Sequence, residues 1–445
     1  MQLVRKSLLA SAIFSICSGA MAAGFQITEH SAKGLGRANA GDAALAEDAS
    51  VIAANPAAMS QIDKPTLTVV GAYIMPNIDV QGTQTDYFTT AASPTPTGQN
   101  DVAPNAFVPS LYFVMPLNEQ WTFGIGAFGN FGLKTDYNDK ILSSSLADKT
   151  SLEVANINPS LSMKVDDKLS FGFGIDIAHA KATLSSSMPN DVNSMFPGQL
   201  ITKLKGSDTA LGWNLGMLYN ISPATRVGFS YRSQLDLHIK GEINTGILPQ
   251  LGQGLLQQDP TNQTAAFLAS LPATFKDSVD MKLPALVELA VNHQLNNQLS
   301  LQASLNRIDW SCFDKLQGNT TAGAILLDQP EHWKNTWAYS VGLTYQYNPT
   351  ITLRAGFKYD QSPVKDEYRT LRIPDSNRTW FTLGASYKVS NSWDIDMGFA
   401  HLTTKNAEIH DGTVIENGSP SLTGQFDGHM SGNADIFAMQ ANYRF

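Results

Sequence analysis

The sequence predicts an all-β protein, a fourteen-stranded antiparallel transmembrane β-barrel with an N-terminal plug in its lumen. Three observations predict it. Segments of alternating apolar and polar residues recur to the last residue, and their connections are short and long by turns. No apolar run beyond the N-terminal leader reaches the roughly 18 residues that a membrane helix needs. In hydrocarbon only a helix or a closed sheet satisfies every backbone hydrogen bond, so a chain without such a helix enters a bilayer as a barrel.

Composition narrows the partners. The 445 residues are 43% hydrophobic but only 16% charged, where soluble domains average roughly 25% charged. A formal net charge of -9, with no Lys/Arg run to override it, excludes nucleic acid as a partner.

The first 22 residues read as a secretory signal, which implies export. Arg5 and Lys6 supply the charged start, an apolar stretch from Leu8 to Cys17 follows, and Ala20-Met21-Ala22 is a small-residue cleavage site. Cys17 leaves with the signal, so Cys312 remains as a lone thiol with no internal disulfide partner. Residues 23–64 do not alternate and are rich in Gly, Ala and Asp. Placed ahead of a barrel of this bore, they are expected to fold into the lumen as a plug.

Residues 65–445 are expected to form the barrel. Its strands fall near 66–83, 105–117, 121–136, 151–165, 168–186, 209–221, 225–241, 277–294, 298–310, 335–347, 350–361, 378–389, 393–404 and 434–445. Short polar turns at Asn118-Glu119, Asp166-Asp167, Ser222-Pro223, Asn296-Asn297, Asn348-Pro349 and Ser390-Asn391 join each even strand to the next odd one. A soluble sandwich gives no such sorting of turns by length. In the last segment Phe437, Met439, Ala441, Tyr443 and Phe445 share one face, an ending suited to the barrel-assembly machinery.

Two long connections are unusually apolar. One holds Met195, Phe196, Leu200 and Ile201; the other holds Ile247, Leu248, Leu251, Leu255 and Leu256. Exposed apolar patches of this kind mark binding surfaces, and these residues are expected to capture a hydrophobic substrate. Packing of such a loop on itself as a lid, or its insertion among lipids, is the alternative. No HExxH, GxSxG or phosphate-loop pattern occurs, so neither an enzyme activity nor a cofactor is expected. The Asp411 to Asp427 loop is acidic but lacks the ordered spacing of a calcium loop, and no metal is assigned.

Several short runs then resemble one family. Ala23-Gly-Phe-Gln26, Gly34-Leu-Gly-Arg-Ala38 and Asn55-Pro-Ala57 resemble the N-terminal hatch of the FadL long-chain fatty acid transporters. Ala103-Pro104, Ala106, Val108-Pro109, Asn130-Phe-Gly-Leu133, Ser170-Phe-Gly172, Gly212-Trp-Asn214, Tyr231-Arg-Ser233, Leu283-Pro284, Ser362-Pro-Val364 and Ile373-Pro-Asp375 follow in the family's order. The resemblance implies an outer-membrane location and passive uptake of long-chain fatty acids. Capture at apolar outer loops would lead to a lumen pocket and to lateral release at a kinked third strand. It places Asn55, Pro56 and Ala57 of the plug against that strand at Asn130, Phe131 and Gly132, with Ala106 on the neighbouring strand. Ser186 and Gln329 stand where the family's best-known member has basic pocket residues. Lys181, Lys203, Lys205 and Lys334 are therefore the candidates to meet a carboxylate, which an aromatic or alkane cargo would not require. The expected partners are a long-chain fatty acid or similar ligand, outer-membrane lipid and lipopolysaccharide, with the chain acting as a monomer.

Overall fold

The computed structural model describes residues 24–85, 94–137, 141–190, 196–319, 328–412 and 424–445. Residues 1–22, expected to be a signal, and Met195 lie outside these, as do residues 413–423 of the acidic loop.

Fourteen strands form the wall. They are Thr66–Thr85, Ala106–Pro116, Trp121–Asp136, Lys149–Lys164, Leu169–Ser187 and Leu200–Ser222; then a seventh in two pieces, Thr225–Arg232 and Leu235–Asn244, and an eighth likewise, Thr274–Leu283 and Leu286–Gln294; then Leu299–Ile308, Thr336–Gln346, Ile351–Asp360, Arg378–Lys388, Trp393–Thr404 and Gln425–Arg444. Each pairs antiparallel with the next, and Thr66↔Arg444 through Thr85↔Gln425 closes the ring. The two split strands break opposite each other. Leu283 pairs with Leu235 and Leu286 with Arg232, leaving Pro284 in the gap, because proline has no N–H to continue a ladder.

The six short turns share one device, a side-chain oxygen that accepts the backbone N–H groups just ahead of it. Asn118 Oδ1 takes Gln120 N and Trp121 N at 2.9 Å each, and Asp166, Asn296 and Asn348 repeat the pattern. Ser390 does so with a hydroxyl, and Ser222 Oγ accepts the single N–H of Thr225. Near this end aromatic side chains gather on the outer face: Tyr443 packs tilted against Trp393 at 4.8 Å and edge-on against Phe445 at 4.7 Å between ring centres. Amphipathic rings at this level suit a membrane boundary.

Alternation fixes which face each residue takes. On the fifth strand Phe171, Phe173, Ile175 and Ile177 are exposed to lipid, while Ser170, Asp176, Ala178, Ala180 and Ala182 are buried inward. Leu211, 72% exposed, and Leu383, 61% exposed, are apolar outer positions on other strands. Above the apolar band the outward residues turn polar, so the alternation fades. That is why the pattern begins the sixth strand at 209 and the fourteenth at 434, whereas the structure begins them at Leu200 and Gln425.

Inside, the chain from residue 24 to the first strand fills the bore with four short helical turns, Ala32–Gly36, Asp42–Ala44, Val51–Ala54 and Pro56–Gln61. Helices this short are not stable alone, so contacts with the wall hold them. Lys33 Nζ reaches Asp48, Asp396 and Asp394 at 3.1, 3.6 and 3.7 Å. Glu47 bridges Arg37 of the plug and Arg354 of the eleventh strand. On the opposite side Arg232 pairs with Asp176 and donates to Ala53 O at 3.0 Å.

Candidate functional site

Above the plug lies an apolar chamber whose floor is aromatic. Phe25 packs edge-on against Trp310, Phe313 and Phe131 at 4.7, 5.5 and 6.3 Å, and against Trp333 at 5.5 Å. Leu152, Leu184, Leu204, Ile239, Val279, Met281 and Leu316 continue the same cluster up the wall. Gly24 carries a φ of +63°, and a Cβ there would lie 2.7 Å from Trp310. Only glycine lets the chain turn under that ring.

Among the described residues that line this space one is charged. Arg372, 7% exposed, donates to Leu146 O and Ser186 Oγ at 2.8 Å each, to Ser185 O at 3.1 Å and to Thr150 Oγ1 at 3.5 Å. All four acceptors are neutral. Asp411 and Asp148 favour the charge through space, but neither is hydrogen-bonded to it and burial outweighs them, so an anionic ligand in the chamber would offset a remaining desolvation cost. Ser186 thus serves here as a partner for a base supplied from across the barrel. Free space between Phe25, Arg372 and Ile373 is only about 20 Å³, against roughly 300 Å³ or more for a small-molecule pocket. Binding therefore requires the floor or the loops to move.

Glu331 stands beside this group, 1% exposed, accepting Trp333 Nε1 at 2.9 Å. Burial, aided by Asp411, pushes its carboxyl up to about 8, against the opposing pull of Trp333 and Arg372. The acid is neutral at pH 7 in the folded chain and ionised in the unfolded one. Its penalty on folding is therefore absent below pH 4.5 and grows until pH passes 8. Ionisation also adds a negative charge near Arg372. Affinity for an alkyl sulfonate, which stays ionised, is expected to fall between about pH 7 and about pH 9, and Glu331→Gln to flatten that profile. A profile unchanged by Glu331→Gln would remove the carboxyl from the site.

The third strand is irregular where the chamber meets the wall. Its pairing with the second strand ends at Leu111↔Ala127, and its pairing with the fourth shifts register between Phe128 and Phe131. The plug occupies the freed edge. Ile27 N donates to Asn130 O and Gly132 N to Phe25 O, both at 2.8 Å, and Gln26 bridges to Phe131. Phe25 is thus at once chamber floor and filler of the break.

Residues 25–27, and not Asn55-Pro56-Ala57, meet Asn130, Phe131 and Gly132, which corrects the contact implied by the resemblance. Asn55 donates to Ala43 O at 2.6 Å and Met217 O at 3.0 Å, while its Oδ1 accepts Ala57 N. Ser162 Oγ donates to Ala57 O at 3.0 Å. The physical reason is a pair of bare backbones: a Cβ on Gly172 or Gly216 would strike this segment, so the fifth and sixth strands receive it. Asn55→Ala leaves Ala43 O and Met217 O without their donor, a cost on the order of 2 kcal/mol. Faster hydrogen exchange across residues 41–59 is the expected result; unchanged exchange would deny Asn55 its anchoring role. Ala106 is buried in one cluster with Ile27 and Val108, at the start of the second strand, beyond Leu111 where pairing with the third strand ends.

The lysines are corrected as well. Lys181, Lys203 and Lys205 are exposed on the outer face, since they share the parity of outward Ile177 and Leu211; Lys334 is exposed in the connection before the tenth strand. None of them lines the chamber. In the apolar connections, Leu248–Gln258 and Gln263–Ser270 form two helices that fold together. Ile201, Ile247, Leu248 and Leu251 are buried there with Met188 and Leu268, so they build the lid's own core. Leu255 is 37% exposed, and Leu200, Phe196 and Leu256 are half-buried. Arg372, Phe25, Trp310, Trp333 and Glu331 escaped the sequence reading. Arg372 directly precedes the Ile373-Pro-Asp375 run, and a charge in so sparsely charged a chain was the available signal.

Comparison with known proteins supplies the context. Residues 13–445 match the family described as outer membrane protein transport protein (OMPP1/FadL/TodX). The chain is 34% identical to the 47 kDa outer membrane protein of Pasteurella multocida, covering 99% of this chain and 98% of that one. It is 30% identical to a long-chain fatty acid transport protein of Escherichia coli O6:H1, covering 100% and 99%. The crystal structure of a Pseudomonas aeruginosa FadL homologue superposes with a TM-score of 0.82 at 26% identity, covering 95% of this chain and all of that one.

Proposed function

The chain belongs to the OMPP1/FadL/TodX family of outer-membrane transport proteins, and we propose that within it this barrel takes up long-chain fatty acids by passive diffusion. It is a FadL-type outer-membrane transporter of hydrophobic substrates. The observation that carries the fatty acid reading is Arg372, a cation at the wall of an apolar chamber whose hydrogen-bond acceptors are all neutral and whose burial outweighs the nearby Asp411 and Asp148.

A fatty acid matches both parts. Each methylene moved out of water gains about 0.8 kcal/mol, so an acyl tail supplies the energy to displace side chains from the collapsed chamber. Its carboxylate accepts charge-assisted hydrogen bonds from the Arg372 guanidinium, replacing one or two neutral acceptors. A toluene-like or alkane cargo would leave that cation as it is. Capture begins at the half-buried edge of the helical lid, at Phe196, Leu255 and Leu256.

Exit follows from the double duty of Phe25. A tail that pushes Phe25 down pulls residues 25–27 off the third strand, and the edge they covered opens sideways between the second and third strands. The cargo then leaves through the wall without crossing the polar plug, where Lys33, Arg37, Asp42, Glu47 and Asp48 would have to be desolvated against acyl chain. Deletion of the gene is expected to abolish oleate uptake in a strain lacking other routes; undiminished uptake would end the reading. Gly132→Val, placing a branched side chain at the break, is expected to slow oleate uptake several-fold with oleate binding to purified protein intact. Uptake at the wild-type rate would refute the sideways exit while leaving the fatty acid reading in place.

A further inference from the structure

We propose that the outer face of the fourth to eighth strands, just above the apolar band, binds the phosphorylated sugar headgroup of an outer-leaflet glycolipid. The site stands apart from the cargo reading, because it lies on the lipid side of the wall.

Strand register places its parts. Lys181 is paired with Ser207, Ser207 with Lys240, and Lys240 with Ser278, forming one outward rung. On the next rung Thr183, Lys205, Glu242 and Lys276 follow in the same way. Small hydroxyl side chains thus alternate with lysines, and the space between them is an open groove of about 960 Å³. Lys149, one rung higher, is held by Asp136 at 2.7 Å. Among the described residues Lys181, Lys205, Lys240 and Lys276 enter no ion pair. Glu153 and Glu242 are the acidic side chains facing outward among them.

Ammonium groups flanked by hydroxyl donors suit phosphate and sugar oxygens. What lies below selects a lipid over a soluble phosphate. Ile177, paired with Leu211, is four residues down the strand from Lys181, roughly 13 Å at the strand rise. Both are exposed and begin the lipid-facing band, so one amphiphile can lay acyl chains on the band and phosphates in the groove. Phosphates on the outer leaflet of this membrane belong to lipid A-type glycolipids, and a groove several strands wide fits a disaccharide better than a single phosphodiester.

The test uses the full-length protein in detergent micelles with fluorescent bisphosphorylated lipid A as the probe. Competitors are its dephosphorylated form and phosphatidylglycerol. Wild type is expected to bind the bisphosphorylated form at least about tenfold tighter than the dephosphorylated one, the strength of one or two charge-assisted contacts. The variant carrying Lys181→Gln, Lys205→Gln, Lys240→Gln and Lys276→Gln is expected to lose that preference with heat-modifiable gel mobility unchanged. Should its mobility change, Lys240→Glu, a single exposed substitution, reads the same loss. Equal affinity of wild type for the two forms, or a preference that survives the substitutions, overturns the site. Tighter binding of phosphatidylglycerol overturns the glycolipid assignment.

Discussion

Replacing Arg372 by Gln is expected to weaken oleate binding by about one to two orders of magnitude while leaving the affinity for oleyl alcohol within about twofold of wild type. A hydrogen bond to a charged group contributes about 1.5–3 kcal/mol, and oleate loses that interaction whereas the alcohol never had it. The glutamine amide can still donate towards Leu146 O or Ser186 Oγ, the neutral acceptors that the guanidinium now engages. The chamber wall is therefore expected to keep its shape. Arg372→Lys restores the charge but not the planar fork, and partial recovery is expected. Displacement of a fluorescent fatty acid from purified protein measures all three. Equal losses for acid and alcohol would mean that Arg372 shapes the chamber and does not read the headgroup.

Gly228→Ala and Gly172→Ala are each expected to turn a closed barrel into a conducting one. A Cβ on Gly228 would lie 1.9 Å from Ala43 O and 2.3 Å from its carbonyl carbon, and on Gly172 2.3 Å from Ala57 N. All are plug backbone atoms, which cannot rotate away as a side-chain tip does. Overpacking of this kind costs about 1–3 kcal/mol, comparable to what anchors a single short helical turn. The outward neighbours Phe229, Phe171 and Phe173 keep their contact with lipid, so assembly of the wall is expected to proceed. Stepwise conductance in planar bilayers and sensitivity of cells to a bulky antibiotic are the measurements. A folded Gly228→Ala protein that stays electrically silent would show that the plug yields locally and still seals the bore.

Much of the wall was legible because its rules are local. Alternation has a period of two residues, so Phe171 to Ile177 declare their face without knowledge of any partner. Asn118, Asp166 and Ser390 announce their turns because each caps N–H groups two and three residues ahead. The same parity, counted four residues on from Ile177, already assigned Lys181 to the outer face. The basic pocket residues that the family resemblance implies would have to face inward, where the Lys181 side chain does not point.

The plug was legible as a segment and illegible as a set of contacts. Its composition marked residues 23–64 as something other than strand, but four short helical turns take their places from wall residues far along the chain. Gln440 accepts Ala32 N across 408 residues, and Asn55 is received by glycines whose lack of a side chain carries no address. The headgroup candidate shows the limit most clearly. Arg372 acquires meaning from Thr150 and Ser186, 222 and 186 residues away, and from burial that desolvates its charge. By itself the sequence determined the barrel, its strand number and its lipid-facing surface, since these follow from periodicity along one chain. Only the tertiary structure decided which charge faces the chamber and which plug residues close the break, because those depend on closure of the ring bringing distant positions within hydrogen-bonding distance.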